Sequence, residues 1–114
     1  MSIRRGDIVL VPFPFTDLTS VKVRPALIVS DDPQNQDVII AFISSVVPAK
    51  LKKTEYLLNV NDPDFFTTGL KTVSVIKMNK LLTISSALIL RRLGRVNPEL
   101  QQELNKLLKL ALGL

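Results

Sequence analysis

The chain contains neither cysteine nor histidine. The first absence excludes disulfides and thiolate metal sites. The second removes the usual zinc ligand sets, the Ser-His-Asp and Cys-His mechanisms, and any acid–base mechanism built on a pair of imidazoles. No apolar run is long enough to span a membrane, and the longest are broken by Pro12, Pro14 and Pro25. There are no internal repeats and no low-complexity tract. Arg4-Arg5 ahead of an apolar run has the charge pattern of a signal peptide. However, Asp7 interrupts the run, prolines break it, and no small-residue cleavage site follows. These features predict a cytoplasmic protein with no membrane partner. Whatever chemistry the chain performs must use Arg, Lys, Ser, Thr, Tyr, Asn, Gln, Asp or Glu.

What is present is a basic, apolar-rich chain of 114 residues with a net charge of +5. That length predicts one domain over residues 1–114, able to bury roughly 65% of its unfolded surface without a covalent staple. The charge points to a polyanionic partner, and it also serves solubility. Basic residues cluster at Lys50, Lys52, Lys53 and at Arg91, Arg92, Arg95. Such clusters suit nucleic acid or an acidic protein.

Hydrophobic patterning predicts many short strands. Ile8–Val11 is a continuous apolar run, and the Pro-Phe-Pro-Phe that follows is expected to end its pairing. Further strands are predicted at Pro25–Val29, Val38–Ile43, Glu55–Val60, Thr72–Lys77 and Arg91–Val96, with Leu81–Ile84 as a continuation. Ser85–Leu90 fits a helical turn or a strand. At the end, Asn97 is a good N-cap, Pro98 fits the first helical position and Gly113 suits the stop. Leu100, Leu104, Leu107, Leu108 and Ala111 fall on one face of that helix, and Leu110, Leu112 and Leu114 widen the stripe. A stripe wider than one core needs predicts an interface, and hence a homodimer, as well as a packed helix. The resulting fold class is mainly β with α: a small barrel or sandwich-like sheet with a C-terminal helix.

The strongest candidate site residue is Arg24. Pro25 after it biases its backbone to an extended form, which puts a permanently charged, five-donor side chain where a loop meets a strand. Such a group is suited to binding phosphate. It is equally suited to an ion pair with Asp31 or Asp32. Ser44 and Ser45 return small hydroxyls to the surface at a strand end. Lys22, Lys50, Lys52, Lys53 and Lys80 are candidate contacts to a nucleic-acid backbone or a solvated face. Phe13 and Phe15 either stack bases or pack in the core. Asp31-Asp32 and Asp62-Pro63-Asp64 are best explained as turns rather than metal ligands. No metal and no cofactor is expected.

An ordered set of segments carries a resemblance. It comprises Arg5-Gly6-Asp7-Ile8-Val9, Arg24-Pro25-Ala26-Leu27-Ile28-Val29, Ala41-Phe42-Ile43-Ser44-Ser45, Gly69-Leu70 with Ser74-Val75-Ile76, and Leu93-Gly94-Arg95-Val96. In this order and spacing the chain resembles the PemK/MazF family of toxin–antitoxin ribonucleases. The resemblance implies an SH3-like barrel with a C-terminal helix, a homodimer, and a cognate antitoxin protein. It also implies metal-independent cutting of single-stranded RNA at short sequences, with growth inhibition as the consequence. On it, the family's catalytic arginine corresponds to Arg24, its catalytic Thr/Ser to Ser44, and its first glycine to Gly6. Ser45 is the secondary reading, as an RNA contact. The chain departs from the family pattern before Thr83. Better-known members have an acidic-Gln pair and then an arginine there, and this chain has Asn79, Lys80 and Leu82. Two alternatives share the fold: a toxin that poisons DNA gyrase by binding it, and a catalytically silent binder of RNA or antitoxin.

Overall fold

The structure is a computed structural model that describes residues 2–13, 22–31, 34 and 36–114. Six strands form one curled antiparallel sheet: β1 (Asp7–Phe13), β2 (Lys22–Ile28), β3 (Asp37–Ser44), β4 (Glu55–Leu58), β5 (Ser74–Ser85) and β6 (Arg91–Arg95). Their order across the sheet is β4-β5-β3-β2-β1-β6, a half-barrel. One helix, α1 (Pro98–Leu112), packs against it. Single 3₁₀ turns stand at Phe66–Thr68 and Ser86–Leu88.

Alternation along the strands divides the buried side chains between the two faces. Ile8, Leu27, Ala41, Ile43, Ile76 and Met78 meet Leu100 and Leu104 of the helix. Val9, Val11, Ala26, Ile28, Val38 and Ile40 gather on the other face with Ile3. The helix begins as the sequence predicts. The Asn97 side chain accepts from the Leu100 backbone N–H at 2.8 Å, a cap worth about 1 kcal/mol. Gly113 closes the helix in the left-handed conformation.

Two expectations need correction. Pairing does not end before Pro12: Pro12 stands opposite Val23 and Phe13 opposite Lys22. Arg24 is the third residue of its strand, not the residue ahead of it. Pro25 is tolerated there because β2–β3 pairing covers only Ala26 to Ile28, so on that side its missing N–H removes no rung. Leu81–Ile84 does continue the preceding strand, as expected: β5 is one strand of 12 residues. Its pairing with β3 jumps from Leu81 opposite Ala41 to Lys77 opposite Phe42. Met78, Asn79 and Lys80 are thus looped out of that ladder, and the Met78 N–H bonds instead to the Thr54 carbonyl at 3.1 Å.

A second irregularity shapes β6. Ile8 stands opposite Gly94 but Val9 opposite Arg92, so Leu93 is an extra residue in that pairing. A bulge of this kind reverses the alternation beyond it. Arg95 and Arg92, three apart, therefore share a face with Asp7. Arg91, opposite Leu10, turns to the other face.

Candidate active site

The rungs between β2 and β3 stop at Ala26 opposite Phe42. Continuing that register places Arg24 across from Ser44 on one face, and Pro25 across from Ile43 on the other. Beyond the last rung a groove of about 460 Å³ opens. Pro25 and Ile43 form part of its floor with Leu10, Leu70 and Leu93. Arg24 and Ser45 border it, as do Lys71, Thr72, Ser74 and Arg91. No carboxylate is among the described residues that line it.

One wall of the groove depends on two glycines. Gly69 has φ +73°, and a Cβ there would lie 2.0 Å from the Leu93 carbonyl oxygen. A Cβ on Gly94 would lie 2.4 Å from the Thr67 carbonyl oxygen. Backbone therefore packs directly on backbone, and only glycine at both positions allows it. This contact seats residues 67–72 on the bulged part of β6 and brings Lys71 and Thr72 to the groove.

Electrostatics single out three of the groove's cations. Asp7 is fully buried. It accepts from the Arg4 N–H at 2.8 Å and pairs with Arg95 at 2.5 Å and Arg92 at 3.6 Å. Asp7 thus offsets one positive charge between those two arginines, with Arg95 the nearer partner. Among the described residues, Arg24, Lys71 and Arg91 have no carboxylate within ion-pair distance. Asp31, the expected alternative partner of Arg24, instead accepts from the Arg5 N–H at 3.0 Å. Asp32 lies outside the described residues.

The other predicted site residues are distributed as follows. Ser44 is half-buried, and its Oγ accepts from the Val46 N–H at 3.1 Å in a local turn, which leaves its O–H free to donate. Ser44 does not line the groove, whereas Ser45 does. Lys22 is exposed on β2, two residues from Arg24 on the same face. Lys50, Lys52 and Lys53 are exposed on the β3–β4 loop, and the Met78–Thr54 hydrogen bond brings the β5 loop-out carrying Lys80 beside it. None of these lysines lines the groove. Phe15 lies outside the described residues, as does the side chain of Phe13. Sequence reading missed Lys71 and Thr72. Their signal was Gly69-Leu70 just ahead of them, which marks a close backbone approach. Among the described residues no three His, Cys, Asp or Glu side chains are grouped as metal ligands, and no helix is long and apolar enough to cross a membrane.

Residues 4–112 match the family described as PemK-like, MazF-like toxin of type II toxin-antitoxin system. No curated protein matches the chain in sequence. Three solved structures show the same fold. An endoribonuclease in complex with its cognate antitoxin, from a mycobacterial species, is 21% identical, with a TM-score of 0.75 over 99% of this chain and 97% of that one. The Mycobacterium tuberculosis toxin MazF-mt6 is 22% identical, with a TM-score of 0.73 over 95% and 97%. A MazE-MazF structure from Deinococcus radiodurans matches at 18% identity, with a TM-score of 0.73 over 100% and 99%.

Proposed function

Because the chain belongs to the PemK-like, MazF-like toxins of type II toxin–antitoxin systems, we propose that it is a metal-independent endoribonuclease that cuts single-stranded RNA in the cytoplasm. The observation that carries this reading is Arg24, which has no carboxylate within ion-pair distance among the described residues and stands across from Ser44 when the β2–β3 register is extended past its last rung, beside a groove whose described lining holds no carboxylate.

RNA brings its own nucleophile. The 2′-oxygen attacks the adjacent phosphorus and the bond from phosphorus to the 5′-oxygen breaks. One proton leaves the 2′-hydroxyl and one is gained by the leaving oxygen. The products are a 2′,3′-cyclic phosphate and a 5′-hydroxyl, with no net change in protons. The protein must align the oxygens and stabilise charge on the pentacoordinate phosphorus. The Arg24 fork binds two non-bridging oxygens at once. The Ser44 hydroxyl donates to the same phosphate. Lys22, Lys50, Lys52, Lys53 and Lys80 attract the flanking strand, and Ser45 contacts it at the groove. A cognate antitoxin is the protein partner. Two copies of the chain pair through apolar surface that includes Leu110, Leu112 and Leu114, which stay 53%, 54% and 86% exposed in the single chain.

The test is single-turnover cleavage of a long mixed-sequence RNA in excess EDTA, with end-group analysis. Wild type is expected to cut and leave cyclic phosphate ends. Arg24→Ala should fold normally by circular dichroism and lose roughly 10²–10³ in rate, and Ser44→Ala should lose less. A strict Mg²⁺ requirement, or an Arg24→Ala variant that cuts at the wild-type rate, overturns the reading.

A further inference from the structure

We propose that Arg91, assisted by Lys71, forms a second phosphate subsite that holds the RNA strand away from the scissile bond. It rests on the ribonuclease reading above and deepens it.

The argument begins with the fate of the three arginines on β6. Arg92 and Arg95 share Asp7's face and are paired to it. The bulge at Leu93 turns Arg91 to the opposite face, where it is exposed and lines the groove. Arg91 stands opposite Leu10, and Leu10 stands opposite Pro25. Two strand spacings, about 10 Å, therefore separate the backbone of Arg91 from that of Pro25, next to Arg24. Two long cationic side chains rooted that far apart can hold neighbouring phosphates of one strand. Lys71 adds a third charge from the segment seated by Gly69 and Gly94.

The groove's chemistry favours the backbone of a polyanion. None of the described residues that line the groove is aromatic, so these residues grip a strand through charge and hydroxyl donors. Contacts of that kind position a nucleic acid without reading its sequence. An Arg91 contact is also made equally in ground and transition states, so it acts on binding and not on the chemical step.

The experiment compares wild type with Arg91→Gln and Arg91→Lys, using a 2′-deoxy-substituted, non-cleavable RNA for binding and the unmodified RNA for cleavage. Arg91 is exposed and unpaired among the described residues, so neither substitution should change the melting curve. For Arg91→Gln, affinity at low salt should fall about 10-fold. The slope of log affinity against log salt should become shallower by about 0.7, the value for one phosphate on a single strand. The rate at saturating RNA should stay within about twofold of wild type, and Arg91→Lys should restore most of the affinity.

Wild-type affinity and salt slope in Arg91→Gln overturn the inference while leaving the ribonuclease reading intact. A fall in the saturating rate as large as that of Arg24→Ala also overturns it, by moving Arg91 into the chemistry. Loss of binding to an acidic peptide with unchanged RNA binding overturns it in favour of a protein-docking role. If wild type itself neither binds nor cuts RNA, the ribonuclease reading fails and this inference falls with it.

Discussion

Arg92 and Arg95 reach a carboxylate that water does not touch, whereas Arg91, adjacent in sequence, meets no carboxylate among the described residues. All three belong to one short strand and one charge cluster. At the Asp7 end, charge is structural. A buried carboxylate is costly unless it is paired and hydrogen-bonded, and Arg95 with the Arg4 N–H meets that need. Arg95 also donates to the Arg5 carbonyl at 3.0 Å, which ties the start of the chain to the last strand. At the groove end, charge has no carboxylate partner among the described residues and is available to a ligand. The comparison teaches that a basic cluster is not one functional unit. Its members separate according to which of them the sheet supplies with a counter-ion.

The sharpest way to break this arrangement is to unseat the wall behind Arg91. Gly69→Ala puts a Cβ against the Leu93 carbonyl and forces a side chain into φ +73°. The two effects together should cost about 3 kcal/mol or more by chemical denaturation. The surviving folded fraction should bind RNA more weakly with Arg91 still present. A variant with wild-type stability would show that the backbone contact does not hold the groove.

Arg95→Met isolates the structural end. It leaves buried Asp7 with the Arg4 N–H and the more distant, half-exposed Arg92. We expect a loss of about 2 kcal/mol and a melting temperature lower by on the order of 10 °C. Cleavage per folded molecule should be unchanged. Arg91→Gln is the mirror case, with stability kept and affinity reduced. If Arg95→Met melts like wild type and loses affinity instead, the division between the two ends is wrong.

The smallest effect concerns a third kind of surroundings, one with an excess of carboxylates. Tyr56 is the chain's single tyrosine. Burial raises its hydroxyl above the ordinary value of 10.0, and Asp62, Asp64 and Glu103 add to the rise by disfavouring a further negative charge. The folded state thus favours the neutral phenol. The stability this confers is fully present below pH 10 and is lost as pH rises through the higher folded value. An ultraviolet titration should place the native midpoint above 10 and return it to about 10 in denaturant. A native midpoint at or below 10 would refute the placement of Tyr56 among those carboxylates.

Much of the fold was legible because it follows from local rules. Continuous apolar runs gave the strands, and Asn97, Pro98 and Gly113 gave both ends of the helix. The resemblance pointed to Arg24 and Ser44, and extending the β2–β3 register two positions past its last rung puts their backbones across from one another. Errors arose where pairing is irregular. Alternation read from sequence alone would put Arg91 and Arg95 on one face with Leu93 between them. One extra residue in β6 reverses that, and nothing local to Arg91-Arg92-Leu93 announces it. The loop-out within β5 was hidden for the same reason, because Met78, Asn79 and Lys80 are strand residues that leave one ladder.

The sequence by itself determined the chemistry that is possible here. Without histidine or cysteine, the chain is left with guanidinium, ammonium, hydroxyl, amide and carboxylate groups, and strand and helix propensities and caps act over a few residues whatever lies elsewhere. Tertiary structure alone decided which charges are free. Whether an arginine is neutralised depends on a buried carboxylate 88 residues away in the chain, as for Arg95 and Asp7. Whether it faces a groove depends on a bulge and on two glycine backbones brought into contact. Both are long-range pairings, whose geometry does not exist until the sheet has closed around them.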